Sequence, residues 1–243
     1  MYMNPFDKFE DPRRRVLINM LSAGFGASSV GAMAASIFGS PPSKLPAGQS
    51  VYRVEGTVAV NDKPATLQTR INAGDTVQTG AKSEIVFVVG GHSMLVRDNS
   101  RMTIESKEVA SAKILSGLRL LAGKVLSVSR NSPMVVSAPT VTIGLRGTGF
   151  YLEADPEQAY FCTCYGSTEV HAVNDPDSKE IINATRHDRP IYILAKAARG
   201  KNIRNAPFVN HTDQELMLIE TLVGRNPPFV FPKDSYTGPR RNY

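Results

Sequence analysis

What this chain lacks narrows its chemistry first. Tryptophan is absent, which fits an ordinary globular composition and excludes nothing. No Gly-x-Ser-x-Gly, His-Glu-x-x-His or P-loop pattern occurs, so no motif nominates a nucleophile, a catalytic metal or a phosphate cradle. The segment Gly144-Leu-Arg-Gly-Thr-Gly149 departs from dinucleotide-binding spacing, and no helical pattern follows it. None of the four histidines, His92, His171, His187 and His211, stands at a metal-ligand spacing from another. The expectation is a protein that is not an enzyme and carries no cofactor.

Long helical patterns are also missing from the body of the chain, which excludes a parallel sheet of βαβ units. The net charge of +6 comes from 28 Lys and Arg against 22 Asp and Glu, and much of the excess sits at the two ends. Basic residues elsewhere are interleaved with acids. That is not the one-sided cluster nucleic acid requires, so nucleic acid is not an expected partner.

What is present from Val51 onward is mostly strand. Val51, Val54, Val58 and Val60 lead into the turn pair Asn61-Asp62. Ile85 to Val89 is an apolar run closed by two glycines, the pattern of a strand buried on both faces. Met94 to Val96, Met102 to Ile104, Val125 to Val128, Met134 to Val136 and Ile191 to Leu194 continue the series. Short extended segments at close, regular spacing predict an all-β unit. In Val141 to Leu152, Val141, Ile143 and Leu145 alternate with more polar positions. Gly147 and Gly149 then bracket Thr148 in a bend, and Phe150 and Leu152 resume the alternation.

Arg146-Gly147-Thr148-x-Phe150 in that setting resembles the signature of the FecR domain, found in bacterial envelope proteins. The similarity extends to Gly56-Thr-Val58, Ala73-Gly-Asp-Thr-Val-Gln-Thr-Gly80, Ser83 to Phe87, Gly91 to Leu95, Gly123-Lys-Val125, Ser137-Ala-Pro139 and Gly166 to Val170. It covers roughly Val51 to Val173. The resemblance implies many short strands in a solenoid-like or roll-like β domain, with a sandwich as the alternative. It also implies work in the cell envelope, where the best-known relatives couple an iron-chelate receptor to a sigma factor. Arg146 itself is expected to brace the bend by donating to nearby carbonyls, or else to read an acidic partner through its planar fork.

The ends read differently. Arg13-Arg14-Arg15 precedes Val16 to Gly39, a stretch without a charge and with Ala32-Met-Ala34 near its end. A cationic start, an apolar middle and small residues form the layout of an export signal, and Arg14-Arg15 with Val16-Leu17-Ile18 resembles a twin-arginine core. Residues 1–40 are expected to be an export signal or, if uncleaved, an inner-membrane anchor through residues 16–39. Residues 41–50 read as a Pro-rich linker, 51–195 as the β domain, and 196–243 as an extension. About fifteen residues precede Val16, too few for the sigma-binding helical domain of those relatives, so direct sigma-factor binding is not expected. The expected partner is another envelope protein or a cell-wall component, met through a periplasmic binding or adaptor module.

One helix is written over 213–223. Thr212 and Glu215 form a capping box, Leu216, Ile219 and Val223 with Leu222 make an apolar stripe, Gly224 suits the position after the helix, and Pro227-Pro228 ends it. It should cover an open end or edge of the β unit. Cys162 and Cys164 are the only cysteines, and as i and i+2 of a strand they share a face. Three readings stand beside one another: a disulfide or redox pair, two buried inert thiols, or two metal ligands completed by histidines, for which His187 and His211 are the candidates.

Overall fold

A computed structural model describes residues 42–129, 133–197 and 201–229. The export or anchor segment, with Arg14 and Arg15, lies outside these residues. Among the described residues no helix is long and apolar enough to cross a membrane.

The described residues form an all-β body with one helix, as the strand pattern requires. Strands β1 (Val51–Glu55), β2 (Val58–Val60), β3 (Lys63–Pro64), β4 (Thr76–Thr79), β5 (Glu84–Val89) and β6 (His92–Val96) are short. Then come β7 (Arg101–Val109), β8 (Ala112–Ser129), β9 (Met134–Ala138), β10 (Val141–Ala154) and β11 (Gln158–Ala172), followed by β12 (Lys179–Ala184), β13 (Ile191–Leu194) and β14 (Ile203–Asn205). The helix α1 spans Asp213–Leu222. All pairings are antiparallel except that of β8 with β9.

Among the many short strands, β8, β10 and β11 are longer and run 18, 14 and 15 residues. Each changes partners midway. The first half of β8 pairs with β7 and β9, its second half with β6 and β10. β10 leaves β9 for β8, and β11 leaves β12 for β13 when followed back toward its start. These three strands therefore fold one continuous sheet into two layers. The first layer runs β3-β2-β4-β7-β8-β9-β10-β11-β12, and the second runs β1-β5-β6-β8-β10-β11-β13-β14. Apolar residues from both layers, among them Val77, Ile104 and Leu118 of the first and Phe87, Val96 and Phe161 of the second, meet in one core. The architecture is the roll that the sequence resemblance implies. β14 continues the second layer beside β13, so the extension from residue 196 begins as part of the β body.

Each crossing strand turns the corner at a glycine with positive φ: Gly123 at +94°, Gly147 at +62° and Gly166 at +92°. The bend read from Gly147 and Gly149 is thus a bulge inside β10, where its register to β11 shifts between Arg146 and Phe150. Arg146 is exposed on the first layer, where its backbone pairs with Ser167 of β11 and its side chain has no hydrogen-bond partner among the described residues. The bracing expected of it falls instead to the glycines: a Cβ on Gly149 would meet the Tyr165 ring 2.5 Å away.

The second layer is apolar on both sides. Along β5, Ile85 and Phe87 face the core while Val86 faces outward with Leu95, Leu126, Tyr151 and Tyr160. Helix α1 lies on that outward face, with Leu216, Ile219 and Leu222 buried against it. It covers a face of the sheet and not an edge, because both faces of these strands carry apolar residues. Burying each of these side chains contributes roughly 1.5–3 kcal/mol. Arg97, nearly buried, fixes the approach: its guanidinium donates to both carboxylate oxygens of Glu215 at 3.1 and 3.0 Å and sits over the Tyr151 ring. Both halves of the capping box are formed, Thr212 Oγ1 accepting from Glu215 N and Glu215 accepting from Thr212 N. Thr212→Ala is expected to lose about 1 kcal/mol in urea unfolding. An unchanged midpoint would show that packing alone sets the helix start.

Candidate metal centre

The strand period decides which way the two thiols point. Phe161 and Thr163 face the core, so Cys162 and Cys164 face outward, beneath α1 and the segment that leads into it. Both are free and buried. The disulfide reading is corrected by this geometry: an extended strand carries the two side chains in parallel, and Cys164 Sγ turns toward Cys162 O at 3.9 Å.

Two loops bring the histidines. His187 lies in the turn between β12 and β13, at a φ of +52°, and its backbone N–H donates to Cys164 O at 2.9 Å. Asp188 holds that turn, accepting from Thr185 Oγ1 at 2.8 Å. His211 is the residue before the helix cap and is fully buried. It stacks on Tyr151 with ring centroids 4.5 Å apart, and Phe208 packs edge-on against it at 4.6 Å. Phe208 and Phe229 also close over His187. The arrangement places one donor atom each from Cys162, Cys164, His187 and His211 within 4.8 Å of one another. His187 Nδ1 stands 3.5 Å from Cys162 Sγ and 3.1 Å from His211 Nε2.

Outer contacts orient both rings. Asp213, the first residue of α1, takes His187 Nε2 at 3.0 Å and also pairs with Arg186. His211 Nδ1 meets Val209 O at 2.8 Å. Burial alone would raise the Cys162 thiol, but hydrogen bonds from Cys164, His187 and His211 outweigh it and hold the thiol well below its usual range. Cys164 is driven the other way, by burial and then by its bond to Cys162 and the charge there. For His187, burial opposes the cation, yet the Asp213 and Cys162 contacts prevail and raise it. Asp213 is lowered, its burial outweighed by His187 and Arg186. The cluster offers the two-sulfur, two-imidazole donor set of a tetrahedral centre.

The remaining histidines stand apart. His171 is exposed on the first layer and pairs with Glu169 at 2.9 Å, while His92 opens β6 beyond the β5 turn. Thr148 and Phe150 are buried in the body of the roll. A surface cleft of about 750 Å³, lined in part by Lys44, Arg70, Val88, Lys113 and Leu222, includes none of the four cluster residues.

Fold and site together define a two-layer β protein with a capping helix and a buried Cys₂His₂ cluster. Residues 75–167, from the start of β4 to the corner of β11, match the family described as FecR protein, so the chain carries a FecR domain. That domain supports a regulatory role in signalling. Two crystal structures of an anti-sigma factor candidate from Parabacteroides distasonis resemble the fold. One has a TM-score of 0.42 at 13% identity, covering 64% of this chain and 80% of that one. The other has 0.43 at 14%, covering 67% and 82%. A comparison with curated proteins returns no significant match. Cys162 and Cys164 fall inside the family segment, whereas His187 and His211 come after it.

Proposed function

We propose that this chain is a non-enzymatic adaptor of envelope signalling, exported from the cytoplasm, whose FecR domain docks another envelope protein by adding that partner's strand to its sheet. The observation that carries the reading is the free edge of β12. Within the described residues this strand pairs only with β11, and its Ile181 is 68% exposed. Main-chain groups on such an edge can recruit an extended segment, and an exposed apolar side chain supplies a contact for it. The family match supports the regulatory half of the proposal, and the charge-free Val16 to Gly39 after three arginines supports export.

A photo-crosslinking residue at position 181 in intact cells should capture one envelope protein, and Ile181→Lys in an affinity-tagged chain without the crosslinker should reduce recovery of that same protein at least tenfold without moving Tm. A reporter fused after Tyr243 should appear outside the cytoplasm and be retained there by Arg14→Lys with Arg15→Lys. A cytoplasmic reporter in the unaltered chain, or adducts from position 181 with no defined protein, would remove the reading.

A further inference from the structure

The hydrogen bonds around the cluster dictate where its protons sit. A carbonyl oxygen only accepts, so Val209 O fixes a proton on His211 Nδ1 and turns Nε2 inward as a lone pair. The Asp213 carboxylate does the same to His187, holding the proton on Nε2 and turning Nδ1 inward. The two inward nitrogens face each other across 3.1 Å. With both rings neutral, two lone pairs would meet at that separation; a proton shared in an N–H···N bond or a metal ion bound by both nitrogens satisfies them. The thiols of Cys162 and Cys164 bound the same space from the sheet below.

Tetrahedral zinc has Zn–N bonds of about 2.0–2.1 Å and Zn–S bonds of about 2.3 Å, which puts neighbouring ligand atoms about 3.3–3.8 Å apart. The observed N···N of 3.1 Å and S···N of 3.5 Å lie a few tenths of an ångström from those values or within them. We propose that Cys162 Sγ, Cys164 Sγ, His187 Nδ1 and His211 Nε2 bind one Zn²⁺ ion in a closed structural site. The proposal is independent of the docking reading above.

Ligand chemistry selects the ion. Two thiolates and two imidazoles suit a borderline-soft, tetrahedral metal, whereas magnesium and calcium take oxygen ligands. Two thiolates also neutralise the dication, so the buried site carries no net charge. Four protein ligands leave no position for a substrate or an activated water, which marks the site as structural. Asp213 behind His187 and Val209 O behind His211 are the outer contacts that orient metal-bound imidazoles. The aromatic rings of Tyr151, Phe208 and Phe229 shield the site from water.

The ion ties together three stretches of chain: β11 of the second layer, the turn before β13, and the entry to α1. A helix of ten residues is too short to persist alone and depends on its docking. Zinc would add a bond-strength link at the first turn of that helix, so binding the ion and seating α1 become one event.

The full chain, purified and supplied with Zn²⁺, is expected to hold one ion per molecule. With Co²⁺ in its place it should show the intense visible bands of tetrahedral cobalt and a thiolate-to-cobalt charge-transfer band. Asp213→Ala should weaken Zn²⁺ binding on the order of 10–100-fold, and Cys164→Ser or His211→Ala should weaken it further. Chelation should lower Tm and open protease cleavage within 185–229. Where a ligand variant fails to fold, the cobalt spectrum of the unaltered chain decides alone. Octahedral cobalt without the charge-transfer band, substoichiometric zinc, or Zn²⁺ affinity unchanged in folded Cys164→Ser overturns the site. A Cys162–Cys164 disulfide in chain isolated without chelator overturns it too.

Discussion

Gly123→Ala is expected to destabilise the protein by about 3 kcal/mol or more, although it adds one methyl group. At this corner of β8 the φ of +94° lies where an L side chain is strained, at about 1–2 kcal/mol. The new Cβ would also stand 2.1 Å from Ser100 Oγ and 2.4 Å from Ser100 Cα. Ser100 cannot swing away freely, since its Oγ accepts from Lys124 N at 2.8 Å and its N–H donates to Thr79 Oγ1 at 2.9 Å. Overpacking against backbone adds about 1–3 kcal/mol. Gly90→Ala is the matched control: it too has positive φ, at +60°, but a Cβ there meets nothing within 4 Å. Denaturant unfolding of the two variants separates strain from collision. Equal losses would mean that the corner yields and that the close packing of β8 on Ser100 is dispensable.

The second large effect is expected at Glu220→Ala, with a loss of about 3–5 kcal/mol. Glu220 is fully buried on the sheet-facing side of α1. Its carboxylate accepts from the Tyr165 hydroxyl and from Arg225 Nε, the latter at 2.9 Å. Truncation withdraws an acceptor that both donors use, one of them a guanidinium with little access to water. Glu220→Gln keeps an acceptor oxygen and should lose distinctly less. The readout is the urea midpoint together with protease sensitivity of residues 213–229. A Glu220→Ala loss under about 1 kcal/mol would show that Leu216, Ile219 and Leu222 seat the helix without it.

The helix itself was legible residue by residue. Thr212 and Glu215 act on neighbouring backbone at the start of the helix and Gly224 acts just past its end, so the cap, the box and the positive φ of +72° after the helix follow from local chemistry. Its destination was not legible. The outward apolar face that receives it is assembled from Val86, Leu95, Leu126, Tyr151 and Tyr160, which lie on five strands. Only their pairing creates the face. Glu220 carries no local sign of burial, because on a helical wheel it reads as a polar neighbour of the stripe.

Local alternation also determined that Cys162 and Cys164 share a side of one strand, and that Gly147 relieves a bend in β10. The identity of that side came from tertiary structure, since a strand with apolar residues on both faces gives no inward direction by itself. His187 and His211 reach the thiols through the β12–β13 turn and the chain before α1, and such long-range closures leave no periodic trace in sequence. Periods of two and of 3.6 residues, which depend on neighbours along the chain, therefore set the elements. Which faces meet, and which four side chains converge, was decided by where the strands cross between layers, because that geometry depends on partners far apart in the chain.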